Sequence, residues 1–155
     1  MKKQKKAILI GAALLIIVII AIAAIFWRNN SILSISQNPF NDLNAADILS
    51  ISVFAVPPNE IVLVDDMEQI EEIVCILKTV IVYQKSNEWK DSNGQMVTFT
   101  INKATGEVVE VSAYNPHLII NGQGYKTKYQ PCENLNRIAN TILNTRFSGQ
   151  SSISD

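Results

Sequence analysis

Residues Ala7 to Trp27 (AILIGAALLIIVIIAIAAIFW) run for 21 positions without a charge. As a helix rising ~1.5 Å per residue, the segment measures about 31 Å, the thickness of a bilayer's hydrocarbon core. A helix also pairs every backbone polar group internally, which lipid demands. Lys2, Lys3, Lys5 and Lys6 precede the run, and after it only Arg28 carries positive charge before Lys78. The positive-inside rule then predicts a single-pass protein of the cell membrane, with residues 1–6 in the cytoplasm and everything after residue 28 outside. Trp27 suits the headgroup level at the outer end. A cleaved signal peptide is the alternative, because Ala21-Ile22-Ala23 has the small-x-small pattern. The apolar run continues past that point with no polar region, which favours a retained anchor. No cysteine lies near residue 24, so a lipoprotein anchor is excluded.

Exported residues meet an oxidising compartment, and this bears on the two cysteines, Cys75 and Cys132. At ~100° per residue, Cys75 falls off the apolar stripe of its expected helix, beside Glu68 and Glu71. A thiol there favours a disulfide with Cys132. Burial of either cysteine as a small hydrophobe is the competing expectation. The spacing matches no metal motif, and nothing in the chain reads as a cofactor site.

Charge narrows the function classes. Of 13 basic residues, four precede the span, leaving 9 against 14 acidic ones, a net of −5 from residue 28 onward. Nucleic acid and anionic lipid both require a basic surface, so neither is an expected partner of this part.

Residues 28–46 are Asn- and Ser-rich with Pro39 and read as a tether. The domain is expected over residues 47–146, and 147–155 as a flexible tail. In the first strand Leu49, Ile51, Val53 and Ala55 share the buried face. Pro57-Pro58-Asn59 turns the chain into Glu60–Val64, an antiparallel partner. Asp65 with Glu68, or Asp66 with Gln69, opens a helix as a capping box. That helix runs to about Thr79, with Ile70, Ile73, Val74 and Leu77 dry. Val80–Lys85 returns as a strand. Gln95–Asn102 and Glu107–Ala113 alternate around a turn at Gly106, and Asn121-Gly122 marks a hairpin before a strand from Gln123 to Tyr129. Leu135, Ile138, Ala139, Ile142 and Leu143 fit a closing amphipathic helix. The order is β-β-α-β-β-β-β-β-α, or one strand fewer. Short turns between strands imply an antiparallel sheet with both helices on it, an α+β fold.

The catalytic inventory is thin. His117 is the only histidine and sits in an expected loop, with no nucleophile at a recognisable spacing and no Gly-x-Ser-x-Gly or Ser-x-x-Lys. Asp65 and Asp66 are accounted for by the helix start, where carboxylates are favoured. Asn121-Gly122-Gln123-Gly124 runs into a strand, whereas a phosphate loop runs into a helix. Candidate partner-binding residues are Trp89, alone in a polar loop, and Tyr125 and Tyr129, placed with Thr127 on one strand face opposite Lys126 and Lys128.

Asp47-Ile48, then Asp65-Asp66-Met67-Glu68-Gln69-Ile70, then Ile119-Ile120-Asn121-Gly122 with Tyr125 give residues 47–145 a layout that resembles small membrane-anchored, exported domains of Gram-positive bacteria with no assigned function. The resemblance implies an accessory domain and transfers no catalytic residue. The expectation is a tethered, non-catalytic domain that binds a protein or an envelope component. A small exported hydrolase or enzyme inhibitor, and a structural accessory subunit of a membrane complex, are the alternatives.

Overall fold

The computed structural model describes residues 36–151, with side chains through residue 146. The expected cytoplasmic stub, the span Ala7–Trp27 and the first part of the tether lie outside the described residues. Among the described residues, no helix is long and apolar enough to cross a membrane.

Seven strands form one antiparallel sheet: β1 (Ile48–Val56), β2 (Glu60–Val64), β3 (Val82–Lys85), β4 (Met96–Lys103), β5 (Val108–Tyr114), β6 (His117–Ile120) and β7 (Gln123–Thr127). Two helices complete the α+β fold, α1 (Met67–Lys78) and α2 (Tyr129–Ser151). The sheet order is β2-β1-β4-β5-β6-β7-β3. Most neighbours follow in sequence because short turns connect them. The exceptions are β1, which lies beside β4, and β3, which follows α1 and joins the far edge beside β7.

One face of the sheet carries Ile51, Val53, Ala55, Val97, Phe99, Ile101, Val111, Ala113 and Leu118, all fully buried. They form a single core with Ile70, Ile73, Val74 and Leu77 of α1 and with Cys132, Leu135, Ile138, Ala139, Ile142 and Leu143 of α2. The period-2 and period-3.6 patterns of the sequence thus meet across one layer boundary. Asp66 is the residue that caps α1, its carboxylate accepting from the Gln69 N–H at 3.0 Å. The β6–β7 hairpin turns on Asn121 (φ 47°) and Gly122 (φ 79°), the two left-handed positions such a turn needs.

Four expectations are corrected. Leu49 is not on the buried face. A bulge between Ile48 and Ser50 shifts the register, so Ile48 enters the core and Leu49 is 65% exposed. The described part of the tether is not free chain. Gln37 pairs with Val82 along the outer side of β3, and Phe40 and Leu43 are buried in the core. The strand expected to reach Tyr129 stops at Thr127, and α2 begins at Tyr129. Pro131 does not delay that helix, because first-turn N–H groups have no partner within the helix to lose. At the other end α2 continues through Ser151, into the expected tail.

Candidate functional site

The first turns of α2 face two loops, and the space between them is a groove of ≈ 620 Å³. Seven residues of α2 line it at helical spacing: Tyr129, Glu133, Asn136, Arg137, Asn140, Thr141 and Asn144. They occupy the helix face adjoining the buried stripe that starts at Cys132. The opposite wall comes from Asn93, Gly94 and Gln95, which lead into β4, and from Tyr114 at the end of β5 and Asn115 in the turn that follows it.

Hydrogen bonds fix these walls. Gln95 and Asn140 form a reciprocal amide pair: Gln95 Nε2 donates to Asn140 Oδ1 at 3.0 Å, and Asn140 Nδ2 donates to Gln95 Oε1 at 2.9 Å. Gln95 Nε2 also reaches the Pro57 carbonyl at 2.9 Å, which ties the loop to the end of β1. Tyr114 donates its phenol proton to the Ser92 carbonyl. Asn115 Nδ2 donates to Glu133 Oε2 at 3.1 Å, and Arg137 Nη2 donates to Asn134 Oδ1 at 3.2 Å. Asn136 Nδ2 and Asn140 Nδ2 each donate to the carbonyl four residues back, at 3.2 and 2.9 Å. With those N–H groups engaged, the Oδ1 atoms of Asn115 and Asn136 are buried and have no donor. An acceptor left so costs about 1–3 kcal/mol.

The groove is therefore mainly carboxamide and phenol. Such groups offer donors and acceptors without ionising near neutral pH. Its two charged side chains are opposite in sign, and each already holds an asparagine.

Of the three residues expected to bind a partner, only Tyr129 lines this groove, where it is 61% exposed. Tyr125 is on β7, opposite Leu118, and is half-buried against the core. Trp89 lies in a short 3-10 turn (Glu88–Asp91) and is half-buried. Its indole rests on Gly124: a Cβ there would strike the ring and the Ser86 carbonyl, so only glycine admits it. The turn is also held by Lys126, whose ammonium lies 2.8 Å from Glu88. The hydrogen bond from Lys126 keeps the Glu88 carboxyl below its ordinary range.

His117 is not in a loop. It opens β6, is 7% exposed, and its Nδ1 has no partner. Cys132 Sγ donates to the His117 carbonyl at 3.4 Å and not to the imidazole. Burial pushes that thiol up to about 12, away from the thiolate that nucleophilic chemistry uses. The expected Cys75–Cys132 disulfide is not formed: Cys75 is exposed on α1 and Cys132 is closed in the core, both as free thiols. Among the described residues, no group of three His, Cys, Asp or Glu side chains could hold a metal ion.

Sequence reasoning missed the carboxamides of the groove. The signal present was Asn136, Asn140 and Asn144 at four-residue intervals inside a helix, where asparagine is a poor former. Comparison with known protein families, with curated proteins and with solved structures gave no match.

Proposed function

We propose that this chain is a membrane-anchored, non-catalytic binding domain displayed outside the cell, and that it engages a component of the cell envelope through the groove between α2 and the Asn93–Gln95 and Tyr114–Asn115 loops. The observation that carries the reading is the chemistry of that groove. Amide and phenol groups held on a helix and a sheet, with Glu133 and Arg137 each engaged by an asparagine, suit recognition more than turnover, which needs groups free to exchange protons or attack. The charge-free N-terminal run with its preceding lysines supports the anchor and its direction. The resemblance to small anchored exported domains supports an accessory role.

A photo-crosslinking amino acid at position 129, in intact cells, tests this reading. An adduct should form there and not from position 107, on the β4–β5 turn at the opposite end of that hairpin from Gln95 and Tyr114. Equal or absent adducts at both positions would reject it.

A second reading, a structural subunit of a membrane complex, has its own observation. Ile61, Leu63 and Val56 are exposed on the β2–β1 end of the sheet. Apolar surface gathered in this way marks protein contacts. Crosslinks from position 63 in place of position 129 would favour that reading.

A further inference from the structure

We infer that the groove's ligand is a neutral, hydroxyl-rich sugar chain; this deepens the reading above and rests on it. Three observations converge. The first is donor balance. Two carboxamide oxygens at the groove, on Asn115 and Asn136, are buried with no donor. Sugar hydroxyls are donors as well as acceptors, and one that reached either oxygen, as the side chain turns toward the groove, would end that deficit. The second is spacing. Asn136 and Asn140 recur one helical turn apart, about 6 Å along the axis. Asn140 is held by Gln95 and by the Asn136 carbonyl, so it forms a fixed polar wall one turn beyond Asn136, whose oxygen is the one left for a ligand hydroxyl. The third is the mouth of the groove. Tyr129 is exposed there with its ring available to the C–H face of a sugar ring.

Charge and shape argue against the other classes. The region outside the span carries net negative charge, which repels polyanions. Glu133 and Arg137 balance each other and are engaged by Asn115 and Asn134. A peptide ligand would ask for apolar pockets for its side chains or a charged clamp for a terminus, and the groove is lined by amides instead. Its volume of ≈ 620 Å³ lies in the ~300–1,000 Å³ range of sites that enclose small ligands.

The experiment uses the full chain in a zwitterionic detergent without a sugar headgroup. Chitotriose, cellotriose and trialanine are titrated by calorimetry, with ligand-observed NMR to confirm contact. At least one of the two trisaccharides should bind, and trialanine should not. Tighter binding of chitotriose would show that acetamido groups are read, and equal binding that the hydroxyls suffice. Tyr129→Ala should weaken the sugar about tenfold or more, equivalent to roughly 1.4 kcal/mol, while Tyr129→Phe keeps most of it. Asn136→Ala should weaken it too, with an unchanged circular dichroism spectrum certifying the fold. Binding of trialanine alone, binding of no probe, or sugar binding indifferent to both Tyr129→Ala and Asn136→Ala would overturn the inference. If no sugar binds and the crosslink from position 129 persists in cells, the ligand class falls and the site stands. If that crosslink is lost as well, both fall.

Discussion

A thiol shows how placement, and not residue type, decides chemistry. Cys75 and Cys132 are the same side chain, yet one faces water on α1 and the other is enclosed by α2 and the sheet. A membrane-impermeant maleimide should therefore label one thiol per native chain and two after denaturation, counted by mass. A disulfide would give none in either state without reductant. The buried thiol also sets an alkaline limit. Its folded-state value is raised to about 12 from an ordinary 9, so the folded chain keeps a proton that the unfolded chain releases. The associated stability is whole below pH 9 and is lost as pH rises toward 12, by up to ~1.4 kcal/mol per pH unit. Cys132→Ala should flatten that alkaline decline relative to the parent, although its own stability at pH 7 falls because a core side chain is shortened. Urea titrations at pH 7, 9 and 10 measure both effects.

At the scale of elements, α2 serves the core and the groove with adjacent stripes. Asparagine in a helix interior disfavours the helix by up to ~0.7 kcal/mol relative to alanine. Asn136 adds an unpartnered buried oxygen to that cost. Asn136→Ala should accordingly leave stability unchanged or raise it by up to about 1 kcal/mol. Asn140→Ala should lower it by about 1 kcal/mol, because Gln95 then loses its reciprocal partner and the loop before β4 loses a tie. Urea midpoints of the two variants check the opposite signs. The elements themselves were legible in the sequence. The Asp66 cap and the Asn121-Gly122 turn are local signals that local hydrogen bonds obey, and alternation in β4 and β5 finds the core face, although on the other face Thr98 and Ser112 are buried too and share a hydrogen bond of 2.8 Å. The groove was not legible, because Gln95 and Asn140 are 45 positions apart and meet only once β4 and α2 pack. Periodicity finds the face of α2 that is apolar. It says nothing of what the neighbouring polar face will meet.

For the whole molecule, the question is where the folded unit begins. Composition placed that start at residue 47, since the Asn- and Ser-rich stretch before it has the look of a tether. Three separate ties place it earlier. Gln37 exchanges backbone hydrogen bonds with Val82 at 3.0 and 2.8 Å, Asn38 Nδ2 donates to the Lys78 carbonyl at 2.7 Å at the end of α1, and Phe40 is only 4% exposed. The segment thus covers the outer side of β3 and satisfies a helix terminus, which solvent would otherwise do. Phe40 and Leu43 share that stretch with Ile32, Leu33 and Ile35 and sustain no strand or helix period, so no sequence pattern distinguished them from linker residues. The energetic contrast is large. Removing a buried Phe side chain costs about 3–5 kcal/mol, a substantial part of the ~5–15 kcal/mol that holds a domain together. Phe40→Ala should shift the urea midpoint of the full chain sharply downward, and a chain beginning at Asp47 should lose cooperative unfolding by circular dichroism. Leu49→Ala, in a residue that alternation alone assigns to the core, should move the midpoint by no more than ~0.5 kcal/mol because the bulge turns it outward. The reverse ranking, with Leu49 sensitive and Phe40 tolerant, would mean that the bulge and the docked segment are both wrongly placed and that the sheet begins where simple alternation puts it.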